Sequence, residues 1–177
     1  MSPRESPWAA GLAEHRAAVA DFVRAASSLD SATWLRPIGP HRWSPALITE
    51  HVRLSIEAVN DDAAGRAHMA VRLNPWKQFV ARRLYLSRVL KTGVFPGGIR
   101  APRETRPSPT PQSQPDALAD LSRITAILES TIAAHPAPAR CRLTHPYFGK
   151  LSLARSLRLL TLHARHHLAQ LPTASPQ

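Results

Sequence analysis

His163 and His167 stand four residues apart in a leucine- and arginine-rich run, Leu151 to Leu171. Four-residue spacing stacks two imidazoles on one helical face, within reach of a single metal ion. At about 100° per residue, Leu153, Leu157, Leu160, Ala164 and Leu171 form an apolar stripe. The two histidines follow its edge, and Arg155, Arg158 and Arg165 point away. A metal bound by neutral imidazoles normally takes at least three protein ligands. His51 supplies a third inward histidine: Leu47, His51, Leu54 and Ala58 make one stripe, with Glu50, Arg53 and Glu57 on the opposite face. A histidine inside such a stripe requires a partner for each ring nitrogen, and a metal could serve one of them.

Other residues near these positions divide into chemical and structural roles. Gln170 shares the side of His163 and could fix a ring tautomer or a bound water, the alternative being plain polarity at a helix end. His166 turns about 100° away, toward Leu159 and Leu162, and is expected at the surface or at an interface. His145, ahead of Pro146, is assigned to loop structure, and Trp43 to apolar closure of the second helix start. Cys141, flanked by Arg140 and Arg142, could have a lowered thiol pKa but is expected to be a small loop residue near the surface. His15, His41, His68 and His135 suggest no chemistry. No general base is evident, since Glu50 points off the core face. The catalytic residues are therefore unassigned.

These side chains need helices to position them. Trp8 to Leu29 reads as a first helix. Ser44 as N-cap and Pro45 as first helical residue start a second, running to about Gly65. Asn74-Pro75 repeats the signal and predicts an arginine-rich helix to about Lys91, its face formed by Trp76, Phe79, Val80 and Leu90 and interrupted by Arg83. Gly93 to Pro115, rich in proline, is an irregular connection. Asp116 to about Ala134 forms the next helix, and the last begins near Ser152 and ends before Pro172. Almost nothing reads as a strand. The pattern is all-α: an antiparallel four-helix bundle in one domain over 1–177, with an additional basic helix and proline-rich connection over 66–115 between helices 2 and 3, and a flexible tail over 172–177.

Composition narrows the function. The 177 residues suit one domain, and neither a signal peptide nor a membrane-spanning run is present, so a soluble cytoplasmic protein is expected. The single cysteine removes an internal disulfide framework and any cysteine-rich zinc site. Of the net charge of +11, residues 66–106 carry +9, with Glu104 their only acid. Arginine bias accounts for much of this. Weak binding to an anionic surface fits the charge better than specific nucleic-acid recognition, for which no motif is present.

Trp43-Ser44-Pro45 followed by His51, then His145-Pro146-Tyr147-Phe148-Gly149-Lys150-Leu151 leading into His163-Ala-Arg-His166-His167-Leu-Ala-Gln170, resembles the signature segments of the DinB/YfiT-like superfamily. The resemblance covers roughly Trp8 to Leu171. It implies a four-helix bundle holding a divalent ion, zinc or nickel first, on His51, His163 and His167, with open positions for water or substrate. Some such relatives are transferases or isomerases in which the metal activates a low-molecular-weight thiol, so a thiol co-substrate and a small-molecule substrate are implied. The basic, proline-rich stretch departs from a plain member. The rival expectation is a non-catalytic bundle that binds metal or acts through its surfaces, Leu159 and Leu162 then belonging to a homodimer contact.

Overall fold

The protein, seen in a computed structural model, is described over residues 7–98 and 100–173. Several of its helices start where capping side chains are placed. After α1 (Pro7–Ser27), Asp30 accepts from the Thr33 N–H at 2.7 Å and opens the short α2 (Ser31–Leu35), where the sequence suggested only loop. Ser44 accepts from the Leu47 N–H, and Pro45, which has no N–H to satisfy, begins α3 (Pro45–Ala63). Asn74 and Pro75 do the same for α4 (Pro75–Ala81). α4 continues through a π-helical turn (Arg82–Leu86) into α5 (Ser87–Thr92), which Gly93 closes in the left-handed conformation. α6 (Gln114–Ala133) follows the proline-rich connection, and α7 (Leu153–Leu168) ends the fold.

The expected four-helix bundle is formed by α1, α3, α6 and α7. Helix α1 packs on α6 and α7, and α3 packs on the same two, so α1 and α3 stand diagonally. Phe22, Ile48, Ile56, Leu121, Leu128, Ile132 and Leu157 are fully buried between them. Of the expected tail, residues 174–177 lie outside the described residues.

Two strands, β1 (Arg142–His145) and β2 (Gly149–Ser152), pair antiparallel where the sequence showed almost no strand signal. The hairpin is held from outside itself. The Asp62 carboxylate accepts from the Thr144 N–H, and Arg82 donates to the carbonyls of Phe148 and Lys150. Gly149, with φ of +61°, leaves space that a Cβ would fill against the Gln78 side-chain oxygen, so the tight turn and the docking of α4 share one glycine.

Residues 75–92 correct two expectations. The Trp76 and Phe79 end of the anticipated apolar face is turned outward, 71% and 58% exposed, while Val80 and Leu90 are half-buried and Ala81, Leu86 and Val89 are buried. The π-helical turn accommodates one extra residue and so changes which side chains face inward on either side of it. Leu159 and Leu162, assigned to an outer dimer surface, are buried instead against Leu86, Val89 and Leu151, flanked by Leu90, Phe95 and Phe148. The basic helix folds back over the last helix and covers the face to which that contact was assigned.

Candidate metal centre

Helix α3 presents His51 and helix α7 presents His163 and His167 to one point. His163 Nε2 lies 3.1 Å from both His51 Nε2 and His167 Nε2. One ligand atom from each of the three residues falls within 4.8 Å of the others. Two edges of 3.1 Å are near the roughly 3.3 Å expected between ligands on a tetrahedral ion with metal–nitrogen bonds of about 2.0 Å.

The outer nitrogens determine what the inner ones offer. His51 Nδ1 is 2.6 Å from the Thr105 carbonyl oxygen, which can only accept, so Nδ1 carries the proton and Nε2 is a bare lone pair. His167 Nδ1 is 2.9 Å from Gln170 Oε1, and the Gln170 amide nitrogen is 3.0 Å from His166 Nε2. In that amide orientation Gln170 accepts from His167 and donates to His166, again leaving His167 Nε2 bare. Two lone pairs therefore face His163 Nε2, which has at most one proton to offer them. Donors so arranged suit a cation better than a closed hydrogen-bond set.

All three rings are held neutral, the form that ligates. Burial is the main cause for each. It lowers the pKa of His51, brings His167 to about 3, and takes His163 well below its usual value, with further lowering from the neighbouring imidazoles. Trp43 packs at 5.0 Å, ring centre to ring centre, over His51.

Residues set aside by the sequence also find their places. His145 Nδ1 accepts from the N–H groups of Tyr147 and Phe148, and its ring stacks on Phe148 at 4.4 Å, a turn-holding role. His166 is half-buried, its ring 5.1 Å from that of Phe95. Glu50 is occupied by Arg53 and turns away from the histidines. Cys141 is buried, not near the surface, and burial followed by the charge of Asp62 pushes its thiol pKa up, opposite to an activated nucleophile. Thr105 was missed altogether: it is only 4% exposed, in a 3₁₀ turn (Arg103–Thr105) inside the proline-rich connection. Its contribution is a backbone atom, for which side-chain patterning has no signal.

The three histidines open onto a cavity of about 640 Å³ between the bundle and residues 89–105. Its walls are mainly aliphatic and aromatic, within the usual size range of small-molecule sites. No described helix is long and apolar enough to cross a membrane.

Comparisons with known proteins agree with this architecture. TT2238, a four-helix bundle protein, is 22% identical, with 92% of this chain and 95% of that one covered at a TM-score of 0.55. YfiT from Bacillus subtilis, described as a probable metal-dependent hydrolase with an unusual four-helix bundle topology, is 13% identical, with 97% and 89% covered at a TM-score of 0.58. No curated protein sequence matches. The sequence profile of the DinB superfamily matches residues 13–171. On that match, which takes in the histidines of both α3 and α7, the chain belongs to the DinB superfamily.

Proposed function

We propose that this protein is a divalent-metal-dependent enzyme with His51, His163 and His167 as ligands, acting on an electrophilic small molecule as a transferase or isomerase that uses a low-molecular-weight thiol as co-substrate. The observation that carries the reading is the convergence of three neutral imidazoles, two with their Nε2 lone pairs fixed inward by Thr105 and Gln170, at the wall of a cavity. A bound zinc or nickel ion would supply Lewis acidity that lowers the pKa of a coordinated thiol or water. The chain itself does the rest. Thr105 and Gln170 keep the rings oriented, Trp43 and Phe95 shield them, and the cavity leaves one side of the three nitrogens open to a substrate, the arrangement of a catalytic rather than a closed structural site. With water in place of the thiol the same arrangement suits hydrolysis, the activity named for YfiT.

Cobalt substitution separates these chemistries. Titrating a small thiol into the cobalt-loaded protein is expected to produce a thiolate-to-metal absorption band that His167→Ala lacks. A cobalt spectrum indifferent to thiol would remove the thiol from the proposal and leave the hydrolytic form.

One further observation favours a second reading, an interaction module for anionic surfaces. Trp76 and Phe79 stack at 5.9 Å in the open, and Lys77, Arg83 and Arg88 of the same basic segment are exposed. Exposed aromatic rings in a basic segment suit the boundary of an anionic bilayer. Co-sedimentation with phosphatidylglycerol vesicles should exceed that with phosphatidylcholine at least fivefold and fall when Trp76 and Phe79 are both replaced by alanine. Equal sedimentation with the two lipids would discard this reading.

A further inference from the structure

The walls of the cavity specify more than its volume. One side is contributed by the bundle, through Ile48, Val59 and Leu160, and the other by the segment folded over α7, through Val89 and Phe95, together with Leu151 of β2. Among the described residues no aspartate or glutamate lines it, whereas Arg42 and Arg100 both do. Neither arginine makes an ion pair among the described residues. Arg42 is also held in place by its loop. Its N–H donates to the Gly39 carbonyl at 3.1 Å, the Ile38 N–H donates to Trp43 at 3.2 Å, and His41 between them adopts φ of +56°. A non-glycine residue in the left-handed region is uncommon and is found where surrounding structure demands it. The resulting turn sets Arg42 on the lining of the cavity that His166 and His167 also line.

From this we infer that the organic molecule received beside the three histidines is an amphipathic anion, its apolar body lying between α7 and α5 and its acidic group paired with Arg42, with Arg100 as a second cation on the wall. The inference rests on reading the cavity as the reaction chamber. A small polar ion would leave the aliphatic walls wetted, and a neutral hydrocarbon would leave the arginines without a counter-charge. A cationic ligand would meet only like charge and neutral imidazoles. A molecule with a hydrocarbon body and one carboxylate, sulfonate or phosphate satisfies both parts of the lining.

The test uses untagged, full-length protein stripped of metal, so that head-group ligation to an ion contributes nothing. Isothermal titration with butanesulfonate, octanesulfonate and octyltrimethylammonium is expected to give at least tenfold tighter binding for octanesulfonate than for either of the others. Chain length tests the walls and charge sign tests the arginines. In the double variant Arg42→Glu/Arg100→Glu, whose changes lie on exposed side chains, octanesulfonate binding should weaken at least tenfold while the thermal melt is unchanged. Equal affinity for the short and long chains, preference for the cation, or indifference to the double variant would each overturn the inference; the last would place the alkyl chain elsewhere, for example on Trp76 and Phe79. Zinc uptake measured on the same preparation reports on the metal reading separately. Uptake without chain-length discrimination sinks the ligand class alone, and discrimination without uptake sinks the metal reading and keeps the ligand class.

Discussion

Replacing His163 with alanine lowers zinc affinity at least about a hundredfold, and zinc then no longer raises the melting temperature. His163 is the central donor, 3.1 Å from each of the other two Nε2 atoms, so its loss leaves two nitrogens that no longer share a common neighbour. A change in the groups that merely orient metal ligands typically costs 10- to 100-fold. Gln170→Ala should therefore fall in that lower range, because it frees the His167 ring without removing a ligand. His145→Ala should leave zinc affinity within a few-fold of the wild type, its imidazole being engaged with the turn at Tyr147 and Phe148. Competition against a chromophoric chelator ranks the three variants. At free zinc a hundredfold above Kd, wild-type stabilisation is about 2.7 kcal/mol, large enough to read in a thermal melt. Similar affinities for wild type and His163→Ala would mean that zinc binds somewhere other than between α3 and α7.

The second large effect concerns a histidine remote from this chemistry. His15 is 1% exposed in α1, and neither ring nitrogen has a hydrogen-bond partner among the described residues. An unpaired buried polar group costs about 1–3 kcal/mol. Leucine at this position is expected to stabilise the fold by an amount of that order at pH 7. The advantage should then grow with acidity. Burial lowers the His15 pKa from 6.5 to about 4, so between these values the unfolded chain takes up a proton that the folded protein refuses. Stability in this window falls as pH falls, and at pH 5 the cost from His15 is about 2 kcal/mol. Other buried histidines share this trend, but they are common to both proteins and cancel in the difference. Urea unfolding of wild type and His15→Leu in chelator, at pH 7 and pH 5, measures that difference. A variant that is less stable than wild type, or an advantage unaffected by pH, would show that His15 has a polar partner in solution, such as a buried water.

The sequence was most legible where one residue type has one physical use. Ser44-Pro45 and Asn74-Pro75 start helices because a side-chain oxygen and a missing N–H both suit the first turn. The three converging histidines were found from helical periodicity, which places i and i+4 together whatever the rest of the chain does. The missed features depend on distant partners. The hairpin of β1 and β2 is four residues per strand and is secured by Asp62 and Arg82. The outward turn of Trp76 and Phe79 follows from docking residues 81–89 on α7 through a π-helical turn, which simple periodicity does not anticipate. One signal was present and underused. Leu159 and Leu162 give α7 a second apolar side, and a helix apolar on two sides is covered on both.

The Thr105–His51 hydrogen bond places half of the orientation of one imidazole on a main-chain oxygen supplied by the proline-rich connection. Any residue type at position 105 still carries that oxygen, so substitutions there need not disturb the ring. An insertion or deletion between α5 and α6 would shift the oxygen along the chain and leave the His51 N–H facing a different group. Loop length, more than loop composition, is then the property under constraint in this part of the protein.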